Sequence, residues 1–370
     1  MMAAAAGAVG PEEVRKPLAH DAPEARAVPG RPPARRLQTT VVGSYPTPGW
    51  LPRPVTVEAL RDATAVVLGA QERAGIDVVA DGELYRFDPN HPETNGMIDY
   101  FAARMGGVAA EATAEEADDF RRTRGLGYRA RPGGIVRDDV GPGTLDLAAE
   151  CARARALVSP GHRLKFTLTG PHMLARVWLD RRYGVPRLLA LAIADVLAAQ
   201  VARLRCDVLQ VDEANLPGHP EDAEWAAEAM ARVLRAAPTG TERAVHVCFG
   251  NYGGQRIQRG TWDALLPYFN AVPADHLVLE AARPEGDPLA AFARIRAQTG
   301  LGIGVIDVKD LAVETPETVA ERIRRAADAV GRDRLRYVHP DCGLWMLPRS
   351  VADAKLSALC AGRDLFEGRG

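Results

Sequence analysis

The chain has 370 residues, 46 basic against 48 acidic, a formal charge of -2, and 47% hydrophobic and 25% charged residues. That balance supports a sizeable core and excludes any global electrostatic pull toward nucleic acid or an anionic membrane, leaving small molecules as the expected partners. Cys151, Cys206, Cys248, Cys342 and Cys360 are odd in number and widely spaced, unlike the framework of a stapled secreted domain, so a reducing cytoplasm is expected.

Residues 1–36 combine MMAAAAGAVG with PGRPPARR and lack the continuous apolar segment of a signal peptide, so a disordered tail is expected. Glu12, Glu13, Asp21 and Glu24 argue against a transit peptide. No apolar run approaches the roughly 20 residues that a membrane helix needs. From residue 37 onward short aliphatic runs alternate with segments of helical periodicity, the mark of βα units around a parallel sheet. Strands are expected at 39–42, 77–80, 164–168, 207–211, 244–247, 276–279, 302–306 and 335–338. Eight is the number that closes a (β/α)8 TIM barrel, an α/β fold of about 250 residues or more. Helices are expected at 55–74, 186–204, 221–235, 262–268, 288–299, 316–330 and 351–361, returning the chain between strands. One domain, 37–370, then carries a long insertion at about 84–163, a length that suits a lid or substrate cap.

The strand ends carry the chemistry. Gly43 and Ser44, Gly82 and Glu83, Thr169 to Pro171, Asp212 and Glu213, His246 and Cys248, Glu280, Asp307 and Lys309, and Asp341 and Cys342 each follow a strand. In a parallel barrel all strand C-termini open on one face, so these positions converge on one mouth. His246 and Cys248 are two apart and share a side of an extended segment. Cys342 and Glu280 offer a third and fourth donor from other strands. Two thiolates, an imidazole and a carboxylate suit tetrahedral zinc and disfavour magnesium or calcium. A replaceable carboxylate such as Glu280 lets an incoming thiol take its place. An alkyl thiol is mostly protonated at neutral pH, and zinc coordination removes that proton. Cys151, Cys206 and Cys360 lie in apolar surroundings and read as core thiols, and His162 and His339 as structural.

The ordered motifs TTVVGSYPTP, DVVADGELYR, LTGP, LQVDE, HVCFGN, LVLEAARPE, GVIDVK and HPDCG, spanning roughly residues 37 to 365, resemble the C-terminal catalytic barrel of cobalamin-independent methionine synthases and their short single-barrel members. The resemblance implies a (β/α)8 barrel and transfer of a methyl group to the sulfur of homocysteine. It also implies zinc at His246, Cys248, Glu280 and Cys342. Ser44, with backbone groups of Val42 and Gly43, matches the residues that bind the homocysteine carboxylate, and Glu83 and Asp212 match those that receive its amino group. An ammonium taken from water demands such partners.

Four features depart from the family pattern. The long family form has an additional N-terminal barrel that helps hold a folate polyglutamate tail, and this chain has a short tail there. The donor is therefore open among a methylated folate, a methylcorrinoid protein and a specialised metabolite. GVIDVKDL stands where the family reads GVYDIHSP, which puts Lys309 at the place of a histidine near the metal and makes it, with Glu83 and Asp212, a candidate catalytic residue. EAARPEGD replaces the run after the zinc glutamate, and DPNHPETNG is inserted before MIDYF. Two other readings stand beside methyl transfer. One is a zinc-dependent thiol transferase acting on an epoxide or another electrophile; the other is a zinc-binding barrel without turnover.

Overall fold

The computed structural model describes residues 36–51, 55–86, 95–124, 129–251, 254–283 and 287–369. The expected tail, apart from Arg36, and most of the DPNHPETNG insertion lie outside the described residues. The strands in chain order are β1 (Gln38–Thr39), β2 (Val78–Ala80), β3 (Gly106–Ala109), β4 (Ile135–Gly141), β5 (Arg163–Thr169), β6 (Leu179–Asp180), β7 (Val208–Glu213), β8 (Glu242–Val247), β9 (His276–Leu279), β10 (Gly300–Ile306) and β11 (Leu335–Pro340). Eight of them form one parallel sheet in the order β1-β11-β10-β9-β8-β7-β5-β2. Parallel bridges from Thr40 to Val78 and from Ser44 to Gly82 join its two ends. The expected α/β barrel is thus the observed fold, nearly closed and wrapped by helices.

Local chemistry sets the helices between these strands. Thr56 caps the helix Val57–Ala74 by accepting from the Ala59 amide at 3.1 Å, and Gly75 ends it at φ 88°, a conformation that suits glycine. Thr315 caps Pro316–Val330 in the same way, with proline at the first helical position. Helices cover the outside of the sheet and side chains fill its inside, so a strand such as β10 is buried along its whole length. No helix among the described residues is long and apolar enough to cross a membrane.

Three expected elements differ. The run 39–42 pairs regularly only over Gln38–Thr39, because the Val41 and Val42 carbonyls accept from Lys165 Nζ at 2.8 Å and Gln210 Nε2 at 2.7 Å instead of from a neighbouring strand. The helix expected at 288–299 stops at Ala293, and the last helix runs longer than expected, Arg349–Phe366. The long insertion contains a second sheet, in the order β3-β4-β6, with β3 and β4 antiparallel. Periodicity could not expose it: β3 reads Gly-Gly-Val-Ala and β4 carries three charged residues in seven.

The seam at β1 is held by the last helix. Arg363 donates to the Leu37 carbonyl at 3.1 Å and pairs with Asp77, whose carboxylate also accepts from the Thr39 amide and hydroxyl at 2.8 and 3.0 Å. Burial alone would raise the Asp77 pKa, but these donors outweigh it and hold the group below its ordinary 3.8. Arg363→Ala should cost about 3 kcal/mol at neutral pH, read from urea denaturation, because it leaves a mostly buried carboxylate with only the exposed Arg36, 3.3 Å away, as its cation. A depressed carboxylate pKa stabilises above the unfolded value, so the gap between variant and parent should narrow as pH falls below 3.8. A gap that stayed constant to low pH would remove Asp77 from the explanation.

Candidate metal centre

His246 lies on β8, Cys248 just beyond its end, and Cys342 two residues past β11. The ligand-capable atoms of these three all lie within 4.8 Å of one another, and the two sulfurs are 3.6 Å apart. The imidazole is 2% exposed. Its Nδ1 is 3.0 Å from the Val278 carbonyl, which can only accept, so that nitrogen carries the hydrogen. Nε2 is then the nitrogen left to face the two sulfurs, buried and without a hydrogen-bond partner. A buried nitrogen in that state is costly unless a Lewis acid meets it. The donor set, two sulfurs and one imidazole nitrogen, fits zinc. The hydrogen bond between the thiols, together with His246 and Lys309, holds Cys342 well below the ordinary thiol range against the effect of burial, while Cys248 is pushed up. Asp341 ties this corner together, its Oδ1 accepting from the Ala281 and Ala282 amides, each at 2.9 Å.

Glu280 follows β9 but is not brought into that group. Its Oε1 accepts from the Phe249 amide at 3.1 Å, and its Oε2 meets Lys309 Nζ at 2.8 Å. The two side chains are 11% and 3% exposed. Burial opposes the charge of Lys309, but Glu280 and the two thiols overcome it and raise the ammonium above its ordinary range. The backbone of Lys309 is fixed in turn. Asp307 accepts from its amide at 2.8 Å and pairs with Arg283, and Glu314 accepts from the Asp307 amide at 2.7 Å while meeting Lys355 at 2.9 Å. Asp307 is therefore a scaffold residue of the mouth.

The amino-acid clamp expected from the sequence lies on the other side of His246. Asp212 is the direct register neighbour of His246 across β7 and β8. Its Oδ1 accepts from Gln210 Nε2 at 2.7 Å, the same amide nitrogen that donates to Val42. Burial pushes Asp212 up, His246 opposes this and Glu83 adds to it, for a pKa of about 7. Glu83 follows Gly82 and is the one non-glycine residue with positive φ among the described residues, at 59°. Such strain persists where surrounding contacts enforce it. Here Thr167 donates to its carboxylate and the Arg86 guanidinium lies 3.5 Å away. Gly43 allows this placement, since a Cβ there would run into Glu83 Oε1. Ser44 reaches the opposite loop: its carbonyl accepts from Leu344 at 2.9 Å, and a side chain at Gly343 would strike its Oγ. Thus the 42–44 segment meets Glu83 on one side and the Cys342 turn on the other.

Three supporting residues were not singled out from the sequence. Arg86 is buried against Glu83 and Thr167, and its spacing three after Glu83 was a usable signal. Gln210 stands two before Asp212, hence on the same strand face. Lys165 is a charged residue inside a buried strand, bound to Gln210 Oε1 at 2.7 Å. A second metal-capable group, His219, Glu221 and Asp222, is already committed, because Asp222 receives His172 and Arg176. Cys151, Cys206 and Cys360 are buried as expected, His162 bonds the Ile76 carbonyl, and burial pushes His339 down to about 3.

Residues 37–361 match the family described as cobalamin-independent synthase, catalytic domain. A methionine synthase from Sulfurisphaera tokodaii is 30% identical over 345 residues, covering 89% of this chain and 92% of the relative. One from Thermococcus kodakarensis is 29% identical, covering 89% and 93%. A solved B12-independent methionine synthase from a Shewanella species superposes with a TM-score of 0.75 at 24% identity, covering 90% of this chain and 98% of that one, which bears on the fold. With a match over nearly its whole length, and a relative at 30% identity across the same span, this chain belongs to the cobalamin-independent methionine synthase family.

Proposed function

We propose that this barrel is a zinc-dependent methyltransferase that transfers a methyl group to the sulfur of homocysteine, giving methionine. The observation that carries the reading is the partnerless Nε2 of His246, buried within 4.8 Å of the Cys248 and Cys342 sulfurs and next in register to Asp212. The names of the relatives agree with it.

In this reading His246, Cys248 and Cys342 hold the metal. Zinc, when bound, supplies the electrophilic pull that keeps a substrate thiol deprotonated at neutral pH. Everything else falls to the protein. Asp212 and Glu83 receive the substrate ammonium, which supplies the positive partner that a carboxyl with a pKa of about 7 lacks. Gln210 aims Asp212, and Thr167 with Arg86 aims Glu83. Ser44 and the backbone at Val42 and Gly43 receive the substrate carboxylate. Fixing both ends of the amino acid leaves the sulfur one direction in which to meet the donor methyl group, a gain in orientation rather than in bond strength. Glu280, past β9, and Lys309, past β10, bound the site on the side away from Asp212.

Purified protein should hold about one zinc per chain, and a Cys248→Ser, Cys342→Ser double variant should lose it while keeping its circular dichroism, as measured by metal analysis. Undiminished zinc in that variant would place the metal elsewhere. Asp212→Asn should weaken homocysteine binding by about 2 kcal/mol or more with zinc content near normal, since it removes one buried charge partner. A homocysteine analogue lacking the amino group should bind the parent poorly and lose little further, and calorimetry on both proteins with both thiols isolates the pairing. Equal losses for the two thiols would assign Asp212 to the fold or the metal shell.

A further inference from the structure

We propose that His172 is a positioning residue for the amino-acid clamp: its imidazolium, held between Glu213 and Asp222, fastens the turn after β5 to the end of β7 and thereby fixes where Asp212 meets the substrate ammonium. The inference rests on the role proposed for Asp212 above and adds to it the residues that aim the Asp212 backbone.

Asp212 and Glu213 are consecutive on β7, so their side chains leave on opposite faces of the sheet. Asp212 turns inward, to Gln210 and alongside His246. Glu213 turns outward and is fully buried against the helix Pro171–Val177. Its Oε2 accepts from the Met173 amide at 3.1 Å, and its Oε1 accepts from the Asn215 amide at 3.2 Å and from His172 Nδ1 at 3.0 Å. The same turn reaches Asp212 itself, whose carbonyl accepts from the Gly170 amide at 2.8 Å. Glycine is required there, since a Cβ at Gly170 would lie 2.9 Å from that carbonyl oxygen and 3.0 Å from Glu213 Oε2. The start of the helix is therefore stapled to both residues of the pair, and the peptide that joins them cannot shift without breaking one of these bonds.

The staple depends on charge. The His172 ring bridges two carboxylates, with Nε2 2.9 Å from Asp222 Oδ2. Ionised carboxylates only accept, so both ring nitrogens carry hydrogen and the ring is a cation. Burial opposes that charge, but Glu213 and Asp222 outweigh it and hold the ring above its ordinary 6.5. Arg176, on the same helix, also pairs with Asp222, and both cations pack on the Trp225 ring, His172 at 4.9 Å and Arg176 at 5.8 Å. Two anions thus meet two cations. The remaining titratable groups nearby are His219 and Glu221, which pair with each other in the turn before the helix Ala223–Arg235, and the buried Tyr268 phenol on the Glu213 side. A neutral His172 ring would turn a lone pair toward one carboxylate and leave the buried cluster one positive charge short. Glu213 would then lose its cation, and the peptide of Asp212 its anchor.

NMR of zinc-loaded protein carrying 15N-labelled histidine reports the charge directly. At about pH 7 the His172 ring, assigned by its loss in His172→Gln, should have both nitrogens protonated. By calorimetry His172→Gln should weaken homocysteine binding ~10-fold and binding of the analogue lacking the amino group less than ~2-fold, with zinc content unchanged. The His172→Gln, Glu213→Gln double variant removes one charge of each sign and leaves two amides able to pair, so its homocysteine affinity should return to within ~3-fold of the parent. If His172→Gln does not fold, Glu213→Gln breaks the same pair from the other side, carries the same expectation for the two thiols, and assigns the ring by its shift. A neutral ring in the parent, equal losses for the two thiols, or losses that add in the double variant would overturn the proposal. Such a result falls on His172 alone while Asp212→Asn still discriminates between the thiols; equal losses in Asp212→Asn would instead sink the reading of Asp212 on which the proposal stands.

Discussion

Parallel strands cannot be joined by tight turns, and a sheet of them exposes two unpaired edges unless it closes. In this chain closure falls to β1, a strand of two regular residues extended by single bridges at Thr40 and Ser44. The site follows from that economy. The Val41 and Val42 carbonyls, freed from the ladder, accept from Lys165 and Gln210, and Gln210 passes the constraint to Asp212. Gly43 lets Glu83 lie against the same segment, and Ser44 touches the turn that carries Cys342. An irregular closing strand thus links the Asp212 and Glu83 side of the mouth to its sulfur side.

The barrel interior is unusually polar for a layer that in many barrels is filled by branched aliphatics. Lys165, Gln210, Asp212, His246, His276 and His339 are all buried. Burial depresses Lys165 to about 7 and lifts Asp212 to about 7, so two groups of opposite type, both bound to Gln210, are brought to the edge of neutrality. Such groups cost stability when empty of partners and repay it on meeting a charged ligand, which agrees with the proposed binding of an amino acid there.

Much of this was legible in the sequence, and the reasons are local. Eight aliphatic runs separated by helical periodicity announce a barrel, since β9 at His276–Leu279 and the helix Pro316–Val330 need nothing beyond pattern and caps. The two-residue spacing of His246 and Cys248 puts both on one strand face, and convergence of strand ends brings Cys342 to them. What the pattern could not show depends on pairing between distant segments. Glu280 follows its strand just as Cys342 follows its own, yet it turns to Lys309 because the loop around Asp307 and Glu314 presents an ammonium there. The sheet β3-β4-β6 escaped because glycines and charges break the alternation that strands usually display. Glu83 shows both sides: its place after a strand was readable, its positive φ was not.

In the proposed site two cysteine sulfurs and one histidine nitrogen hold a zinc ion whose remaining position takes the substrate thiol. Zinc X-ray absorption on the loaded protein, with and without homocysteine, tests it most directly. Before addition the shell should contain two sulfurs at about 2.3 Å, one imidazole nitrogen and one light ligand; after it, three sulfurs and the same imidazole. A sulfur count that does not change when homocysteine binds would contradict the account.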